Sequence, residues 1–324
     1  MSANSVPSVK LPSGANYSYV GLGTFTVFNA TGKPGAVRDA VKYAIDIGYR
    51  HIDCAWNYKN EFEVGDAIQD KLDDGTIKSK KEVFITTKLW DTHHNPKDIT
   101  ENVTKSLKNL RVDSIHLYLL HWPFAFEDGD EIFPKDKDGK VIFADHDYVD
   151  TWKAMEGLIK AKLVDNIGIS NFNKSQIDRL LQQTTIKPCS HQIEIHPYMS
   201  NKKLVEYCQS KGISVTAYAP LGNVTRTWAE KGEPIIFDEP ILQEIAKNKG
   251  KSIAQVVLRF LIQRDLIVIP KSVTPSRIKE NIEIFDFELS DDDMQKIWSL
   301  DRNARFYKEP IASDHKYYPF HDEY

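Results

Sequence analysis

Residues 37–55 read VRDAVKYAIDIGYRHIDCA, and this stretch decides the fold. Its first half repeats apolar residues at helical spacing, so that Val37, Val41, Ala44 and Ile45 share one face. Its second half ends in residues 51–55, a short run that favours a β-strand. A helix that leads directly into a strand is one step of a repeating α/β pattern.

The same alternation extends in both directions along the chain. Short β-branched or apolar runs alternate with helical patterns, which are clearest over residues 148–162 and 252–263. Eight such units in 324 residues, without a Pro-, Ser- or Gly-rich linker, predict one domain over residues 1–324, a closed (β/α)8 TIM barrel. The predicted strands, each followed by a helix, are residues 19–24, 51–55, 83–89, 115–121, 166–170, 191–196, 215–219 and 267–271.

An open parallel sheet is the alternative architecture. A dinucleotide-binding open sheet normally carries GxGxxG after its first strand, and the run that begins at Gly21-Leu22-Gly23 lacks the third glycine. A P-loop is disfavoured as well, because Ile245 stands where the first glycine of a motif ending in Gly250-Lys251-Ser252 belongs. Both absences favour the barrel.

Four segments lie outside the βα units. Residues 7–20, with a turn at Pro12-Ser13-Gly14, predict a hairpin that closes the bottom of the barrel. Residues 122–147 and 221–238 leave the C-terminal ends of strands four and seven, the end at which a barrel carries its active site. The tail from Asp301 is rich in aromatic residues, so we expect it to dock on the barrel.

Composition limits the partners and the compartment. Hydrophobic residues are 41% and charged residues 27%, which is typical of a globular protein, and a net charge of −4 does not favour nucleic acid. Cys54, Cys189 and Cys208 form no CxxC motif, which favours a reducing compartment. The sequence shows neither a secretory signal nor an apolar run of ~20 residues, so we expect a cytoplasmic protein without a membrane partner.

The alternation of side chains along the strands places three polar residues at one end of the barrel. On the fourth strand, Leu117 and Leu119 share parity with His121 at the C-terminal end. On the third strand, Lys88 points inward at the same end, where an unpaired ammonium is costly. Asp53 on the second strand supplies a counter-charge, so we predict a buried pair between Asp53 and Lys88.

Tyr58 lies on the loop that leaves the same end of the second strand. A phenol titrates near ~10 in water, and a nearby ammonium lowers its pKa toward the range of a general acid. Asp53, Tyr58, Lys88 and His121 would then form one catalytic site. The alternative is a salt bridge that fills the upper layer of the barrel, with Tyr58 and His121 as hydrogen-bonded residues of the rim. Spacing alone favours neither.

Six short runs stand in a distinctive order: GLGT (21–24), GYRHIDCA (48–55), TKLW (87–90), LHWP (120–123), IGISNF (167–172) and IPKS (269–272). Together they resemble the aldo-keto reductase superfamily, the aldose and aldehyde reductases, over nearly the whole chain. In that family the positions matched by Asp53, Tyr58, Lys88 and His121 form the catalytic tetrad. The resemblance therefore favours the catalytic interpretation and implies a carbonyl reductase with a (β/α)8 barrel.

The resemblance also implies a nicotinamide cofactor, bound in extended form across the top of the barrel without a Rossmann fold. By motif, Ser170, Asn171 and Gln192 hold its carboxamide. Tyr218 stacks on the nicotinamide ring, and Leu221 lines the path of the pyrophosphate.

The adenosine end of the cofactor corresponds to a run near the last strand. Two cationic side chains and two hydroxyls at a helix start are suited to grip a 2′-phosphate, so the expected cofactor is NADPH/NADP+ rather than NADH. The alternative is a strand end and helix cap with solvated charges. The matched residues are Lys271, Ser272, Val273, Thr274, Arg277, Glu280 and Asn281.

One loop departs from the family pattern. Many members carry a serine and an acidic residue after Pro-Leu-Gly, as part of a clasp over the pyrophosphate. Here residues 223–226 read NVTR. We therefore expect a weaker or differently made clasp, which affects cofactor release and not the chemistry.

A metal site is the other interpretation of a polar cluster. His191, Glu194 and His196 are ligand types for zinc, but opposite parity separates His191 from the other two. No second cluster in the sequence supplies the missing ligand, so we expect no metal. The pair His93 and His94 is interpreted as part of a polar loop.

Large aromatic residues near the predicted rim indicate an apolar substrate pocket, suited to bulky or hydrophobic carbonyls more than to small polar sugars. The chain is therefore expected to be an NADPH-dependent reductase of aldehydes or ketones, acting as a monomer on a small molecule, with Tyr58 as the general acid. A steroid-like ketone is the alternative substrate, and a nucleotide-binding structural or channel-associated role is the alternative of another class. The expected pocket residues are Phe25, Trp56, Trp90, Trp122, Phe124 and Trp228.

Overall fold

Eight parallel strands form the centre of the structure, a computed structural model that describes residues 6–26, 33–223, 226–322 and 324. Each strand pairs with the next one along the chain. They follow an N-terminal antiparallel hairpin of β1 (Ser8–Lys10) and β2 (Asn16–Ser18). The eight strands are β3 (Leu22–Gly23), β4 (His51–Asp53), β5 (Phe84–Leu89), β6 (Leu117–Leu120), β7 (Ile167–Ser170), β8 (Ser190–Glu194), β9 (Ser214–Tyr218) and β10 (Ile267–Val268).

A short seam closes the sheet into a barrel. Val20 pairs in parallel with Val268, and Gly23 pairs with Lys271, so the first strand of the sheet meets the last. The predicted (β/α)8 barrel and its N-terminal hairpin are therefore confirmed. Seven of the eight strands are shorter than predicted, most clearly β10, beyond which the pairing continues only at Lys271, whereas β9 keeps its length and begins one residue earlier.

Helices follow every strand of the barrel. The predicted face of Val37, Val41, Ala44 and Ile45 is buried against the sheet. A pair of helices follows β9, and another pair follows β10. The helices are α1 (Ala36–Asp46), α2 (Glu61–Asp73), α3 (Ile99–Leu110), α4 (Tyr148–Lys160), α5 (Lys174–Gln183), α6 (Lys202–Ser210), α7 (Pro240–Lys249), α8 (Ile253–Ile262), α9 (Pro275–Ile282) and α10 (Asp291–Trp298).

The hairpin covers the N-terminal ends of the strands. Tyr17 is fully buried there, with its ring 4.8 Å from those of His51 and Phe84. Its hydroxyl lies 2.8 Å from Oγ1 of Thr216, across the barrel. Because this end is plugged by an aromatic side chain, a site inside the barrel opens only at the opposite, C-terminal end.

The long segments gather at that C-terminal end. Residues 122–147 fold back on themselves through the pairs Phe126 with Phe143 and Lys135 with Val141. The C-terminal tail, described over residues 301–322 and 324, docks on α5 as expected, since Gln176 donates to the carbonyl of Tyr317 at 2.8 Å. No helix within the described residues is both long and apolar enough to cross a membrane.

Candidate active site

A buried ion pair occupies the C-terminal ends of β4 and β5. Lys88 Nζ lies 2.6 Å from Oδ1 of Asp53 and donates to the carbonyl of Cys54 at 2.7 Å. The Lys88 side chain is 0% exposed and that of Asp53 is 2% exposed. Burial raises the pKa of Asp53, and the neighbouring ammonium opposes that change. The pair predicted from side-chain parity is therefore present. Because it is buried, loss of either partner would leave an uncompensated charge inside the barrel.

Tyr58 stands beside this pair. It ends the short turn Trp56–Tyr58 that follows β4, and its hydroxyl lies 3.4 Å from Lys88 Nζ. The expectation that Lys88 lowers its pKa is wrong for this structure. Burial, and then the negative charge of Asp53, raise the pKa of Tyr58 well above its ordinary value. Asp53 already neutralises the ammonium at shorter range, so the phenol keeps its proton at neutral pH.

His121 completes the group directly after β6. Its ring centroid is 6.2 Å from that of Tyr58 and 5.2 Å from that of Trp90. Burial, then the positive charge of Lys88, lower its pKa well below the ordinary value, so the imidazole is neutral. Its Nδ1 has no hydrogen-bond partner among the described residues. The structure thus brings all four predicted side chains together: a charged pair, a protonated phenol and a neutral imidazole.

A second set of side chains lies on the neighbouring strands. Asn171 directly follows β7 with a positive φ of 60° and donates to the carbonyl of His121 at 3.1 Å. Its Oδ1 accepts a hydrogen bond from the hydroxyl of Tyr218 at 2.9 Å. Ser170 Oγ donates to the backbone oxygen of Gln192 at 2.8 Å, and Gln192 Nε2 donates to Oδ2 of Asp53 at 2.7 Å. The residues expected at the carboxamide therefore adjoin the set formed by Asp53, Tyr58, Lys88 and His121, which is called the acid group below.

The residues expected at the adenosine end surround the start of α9. Ser272 is buried, and its Oγ accepts a hydrogen bond from the backbone N–H of Thr274 at 3.0 Å. Lys271 and Arg277 are exposed, and neither forms an ion pair with another residue that the structure describes. Two unpaired cations beside a helix N-terminus suit a phosphate group.

Comparison with known proteins identifies the family of the chain. The sequence model of the Aldo/keto reductase family matches residues 19–302. The chain belongs to this family. It is 44% identical to "Aldo-keto reductase family 1 member A1" of Xenopus tropicalis, over 99% of this chain and 100% of that protein. Identity to the Gallus gallus protein of the same name is 43%, over 98% of each chain.

Solved structures add the same result in three dimensions. The structure of the aldose reductase from Schistosoma japonicum matches with a TM-score of 0.90 and 43% identity, covering 98% of this chain and 99% of that one. A chain this similar in sequence and fold to aldo/keto reductases is an oxidoreductase that acts on carbonyl compounds.

Four of the six aromatic residues expected in the substrate pocket of this aldo/keto reductase belong to one buried cluster, and Phe25 and Trp228 lie outside it. The ring of Phe25 lies 5.0 Å from that of Tyr58, outside the main cluster. Trp228 also lies apart, with 44% of its surface exposed, and its Nε1 donates to the carbonyl of Phe306 at 2.9 Å. Phe124 is fully buried and packs on its neighbours. The cluster consists of Trp56, Trp90, Trp122, Phe124, Phe126 and Ala312.

The expected clasp loop after β9 contacts the tail. Leu221 begins this loop, partly buried against the core. Arg226 stacks on Phe306 at 4.0 Å, donates to the carbonyl of Gly222 at 3.0 Å and pairs with Glu233. Residues 224 and 225, part of the departure from the family pattern, lie outside the described residues. The arginine thus supplies contacts within a loop that lacks the usual acidic residue.

Sequence reasoning missed the role of Glu194. This fully buried carboxylate accepts hydrogen bonds from the backbone N–H groups of Phe306 and Tyr307, at 2.7 and 3.0 Å, and from His196 at 2.9 Å. No group of three metal-ligating side chains occurs within the described residues. The parity that joins Glu194 to His196 was visible in the sequence, but nothing local identified the tail as their partner.

The pair His93 and His94 does not belong to a polar loop. Both side chains are buried, and the ring of His93 lies 4.4 Å from that of Trp56. Burial lowers the pKa of His93 to about 4 and that of His94 to about 3. Both imidazoles are therefore neutral near pH 7.

Proposed function

We propose that the chain reduces aldehydes or ketones to alcohols with NADPH and that Tyr58 is the proton donor. The observation that carries the proposal is the convergence of a protonated, buried phenol with an ammonium at 3.4 Å and a neutral imidazole. The proposal includes one barrel domain over residues 1–324 that acts as a monomer in the cytoplasm.

The described residues fit a nicotinamide dinucleotide phosphate. Gln192 Oε1 accepts no hydrogen bond from a described residue, which leaves an acceptor for the carboxamide N–H. The unpaired Lys271 and Arg277 fit a 2′-phosphate, and this favours NADPH over NADH. When bound, the cofactor supplies the hydride that the protein's own side chains cannot. In this proposal Tyr218, whose hydroxyl donates to Oδ1 of Asn171, stacks on the ring of the cofactor.

The four buried side chains have distinct proposed roles in the reduction. Negative charge develops on the carbonyl oxygen as hydride arrives, and a positioned acid lowers that barrier. Tyr58 donates its proton to this oxygen. Lys88 stabilises the phenolate that remains, and Asp53 fixes the ammonium. His121 is neutral and donates a hydrogen bond that orients the carbonyl.

The substrate class follows from the walls of the site. Trp90 lies against His121, with 5.2 Å between their ring centroids, and Trp56 and Trp122 belong to the same apolar cluster. The tail contributes Phe320, whose ring is 5.6 Å from that of Trp122. An apolar wall favours a carbonyl attached to an aromatic or aliphatic group over a small polar sugar. We propose hydrophobic aldehydes and ketones as the substrates.

The substitution Tyr58→Phe tests the chemistry. Turnover, followed by NADPH absorbance with a panel of aldehydes, sugars and steroid ketones, is expected to fall by about 10²- to 10⁴-fold, the usual contribution of a general acid. NADPH affinity is expected to stay nearly constant, because only a hydroxyl at a long 3.4 Å contact is removed.

Tyr118→Phe is the matched control. Tyr118 is also buried but lies on the helix-facing side of β6, so its removal is expected to leave turnover intact. Undiminished carbonyl reduction by the Tyr58→Phe variant contradicts the assignment of the acid. Tight NADPH binding by the wild-type chain, without turnover on any carbonyl, supports a nucleotide-binding role instead.

A further inference from the structure

Gln192 reaches across the inside of the barrel to the acid group. It lies on β8, four strands away from β4 in an eight-stranded barrel, and therefore opposite Asp53. The two side chains are each 2% exposed, and Nε2 of Gln192 donates to Oδ2 of Asp53 at 2.7 Å. Since Lys88 occupies Oδ1, each carboxylate oxygen has one strong donor. A buried carboxylate depends on such donors to stay ionised.

The other end of the Gln192 amide is open. Its Oε1 has no partner among the described residues, whereas both ends of the Asn171 amide are occupied, by Tyr218 at Oδ1 and by Ser170 and the His121 carbonyl at Nδ2. Of the two amides beside the site, Gln192 is the one that retains a free acceptor. A donor placed there polarises the amide and strengthens the hydrogen bond that Nε2 gives.

We propose that Gln192 is a positioning residue that couples the bound nucleotide to the acid group. Its Oε1 accepts a hydrogen bond from the carboxamide, and this strengthens the hydrogen bond that its Nε2 donates to Asp53. Asp53 then holds Lys88 firmly beside Tyr58. This inference rests on the proposed function, because it takes the nicotinamide carboxamide as the donor. It implies that nucleotide binding itself prepares the acid group for proton transfer.

Asp53 has one charged partner within the described residues. Burial raises the pKa of each phenol and thiol nearby and lowers that of each imidazole, so these groups are uncharged near neutral pH. Burial raises the pKa of Asp53, and Lys88 and the hydrogen bond from Gln192 oppose that change. The surrounding neutral groups are Tyr17, Cys54, Tyr58, His51 and His121.

The substitution Gln192→Met tests the inference, because methionine has nearly the same shape without a donor. Loss of a hydrogen bond to a charged group moves an ionisation midpoint by about one to two pH units. In the profile of kcat against pH, measured at saturating NADPH, the acid limb is expected to move to higher pH by about one to two units. The reason is that Asp53 takes up a proton more readily without the hydrogen bond from Gln192. Ser170→Ala is the matched control: it removes a carboxamide partner without touching Asp53, so nucleotide affinity falls and the acid limb stays in place.

A second measurement needs no turnover. The carboxyl ¹³C shift of Asp53, assigned with the variant Asp53→Asn, reports its titration directly. Gln192→Met is expected to raise this midpoint by about one to two pH units without nucleotide. Saturating NADP+ is expected to lower the midpoint in the wild-type chain and not in the variant. Gln192→Asn, which is too short to reach Asp53, replaces the methionine variant if that one does not fold.

The outcomes separate the two proposals. If Gln192→Met weakens nucleotide binding and leaves both midpoints unchanged, Gln192 serves the nucleotide alone and the coupling is refuted. A lower melting temperature with unchanged midpoints assigns Gln192 a packing role, which also refutes it. If the wild-type chain reduces no carbonyl, the proposed function fails, while the ¹³C titration with and without NADP+ still decides the coupling.

Discussion

We expect Glu194→Gln to release the C-terminal tail and leave the barrel folded. The carboxylate accepts the N–H of Phe306 at one oxygen and that of Tyr307 at the other. A glutamine in the same place retains one acceptor and turns an N–H group toward the second backbone donor. Losing a hydrogen bond to a buried charge costs about 2–3 kcal/mol, which corresponds to a roughly 30- to 150-fold increase in tail opening.

Hydrogen–deuterium exchange at the amides of Phe306 and Tyr307 measures this opening. Glu61→Gln is the control, because Glu61 is an equally buried carboxylate that accepts from Thr87 at 2.7 Å, far from the tail along the chain. It is expected to lower global stability without a selective effect on the tail. An increase below about threefold at both tail amides, worth less than 1 kcal/mol, refutes the anchoring role of Glu194.

The same anchor depends on pH. Burial raises the pKa of Glu194, but the hydrogen bonds from His196 and the tail outweigh it and leave the pKa below its usual value. A carboxyl group with a lowered pKa stabilises the folded state above its unfolded pKa of ~4.3 and loses that contribution as pH falls. Tail exchange, corrected for its intrinsic rate, should therefore accelerate in acid for the wild-type chain and lose this dependence in Glu194→Gln.

Three further predictions follow from other contacts. Lys88→Met leaves Asp53 buried and unpaired, so urea denaturation should show a loss of about 3–5 kcal/mol in the free energy of unfolding, partly restored by adding Asp53→Asn. Gly65→Ala places a Cβ in collision with the backbone oxygen of Asn109 in α3 and should destabilise by about 1–3 kcal/mol, whereas Gly157→Ala meets no atom within 4 Å and should stabilise by about 0.5–1 kcal/mol; thermal denaturation compares the two. Lys271→Met should weaken binding of NADPH more than that of NADH in a fluorescence titration, and equal losses contradict the 2′-phosphate assignment.

Periodicity was sufficient for the barrel and for the central pair. The alternation of side chains in β5 and β6 is set by backbone geometry, so it places Lys88 and His121 inside the barrel whatever the rest of the chain does. The buried cost of an unpaired ammonium then requires Asp53 nearby. These inferences hold because each depends on a local pattern and one strong physical constraint.

Contacts between distant segments were not readable in the same way. Asp53 and Gln192 are 139 residues apart, and Glu194 and Phe306 are 112 residues apart, so no local pattern connects them. The direction of the Tyr58 pKa was also missed, because sequence shows the charge of Lys88 but not the depth of burial that outweighs it. Burial is a property of the assembled barrel, in which loops and tail cover the site.

The seam between β3 and β10 has a consequence for how the molecule is made. The two strands hold only two residues each, and their pairing joins Val20 to Val268 and Gly23 to Lys271. During synthesis β3 is among the first strands to leave the ribosome and β10 is the last. The edge of β3 that pairs with β10 therefore stays unpaired for nearly the whole period of translation. Closure is therefore expected late in folding, and nascent chains halted before Ile267 should be substrates for chaperones.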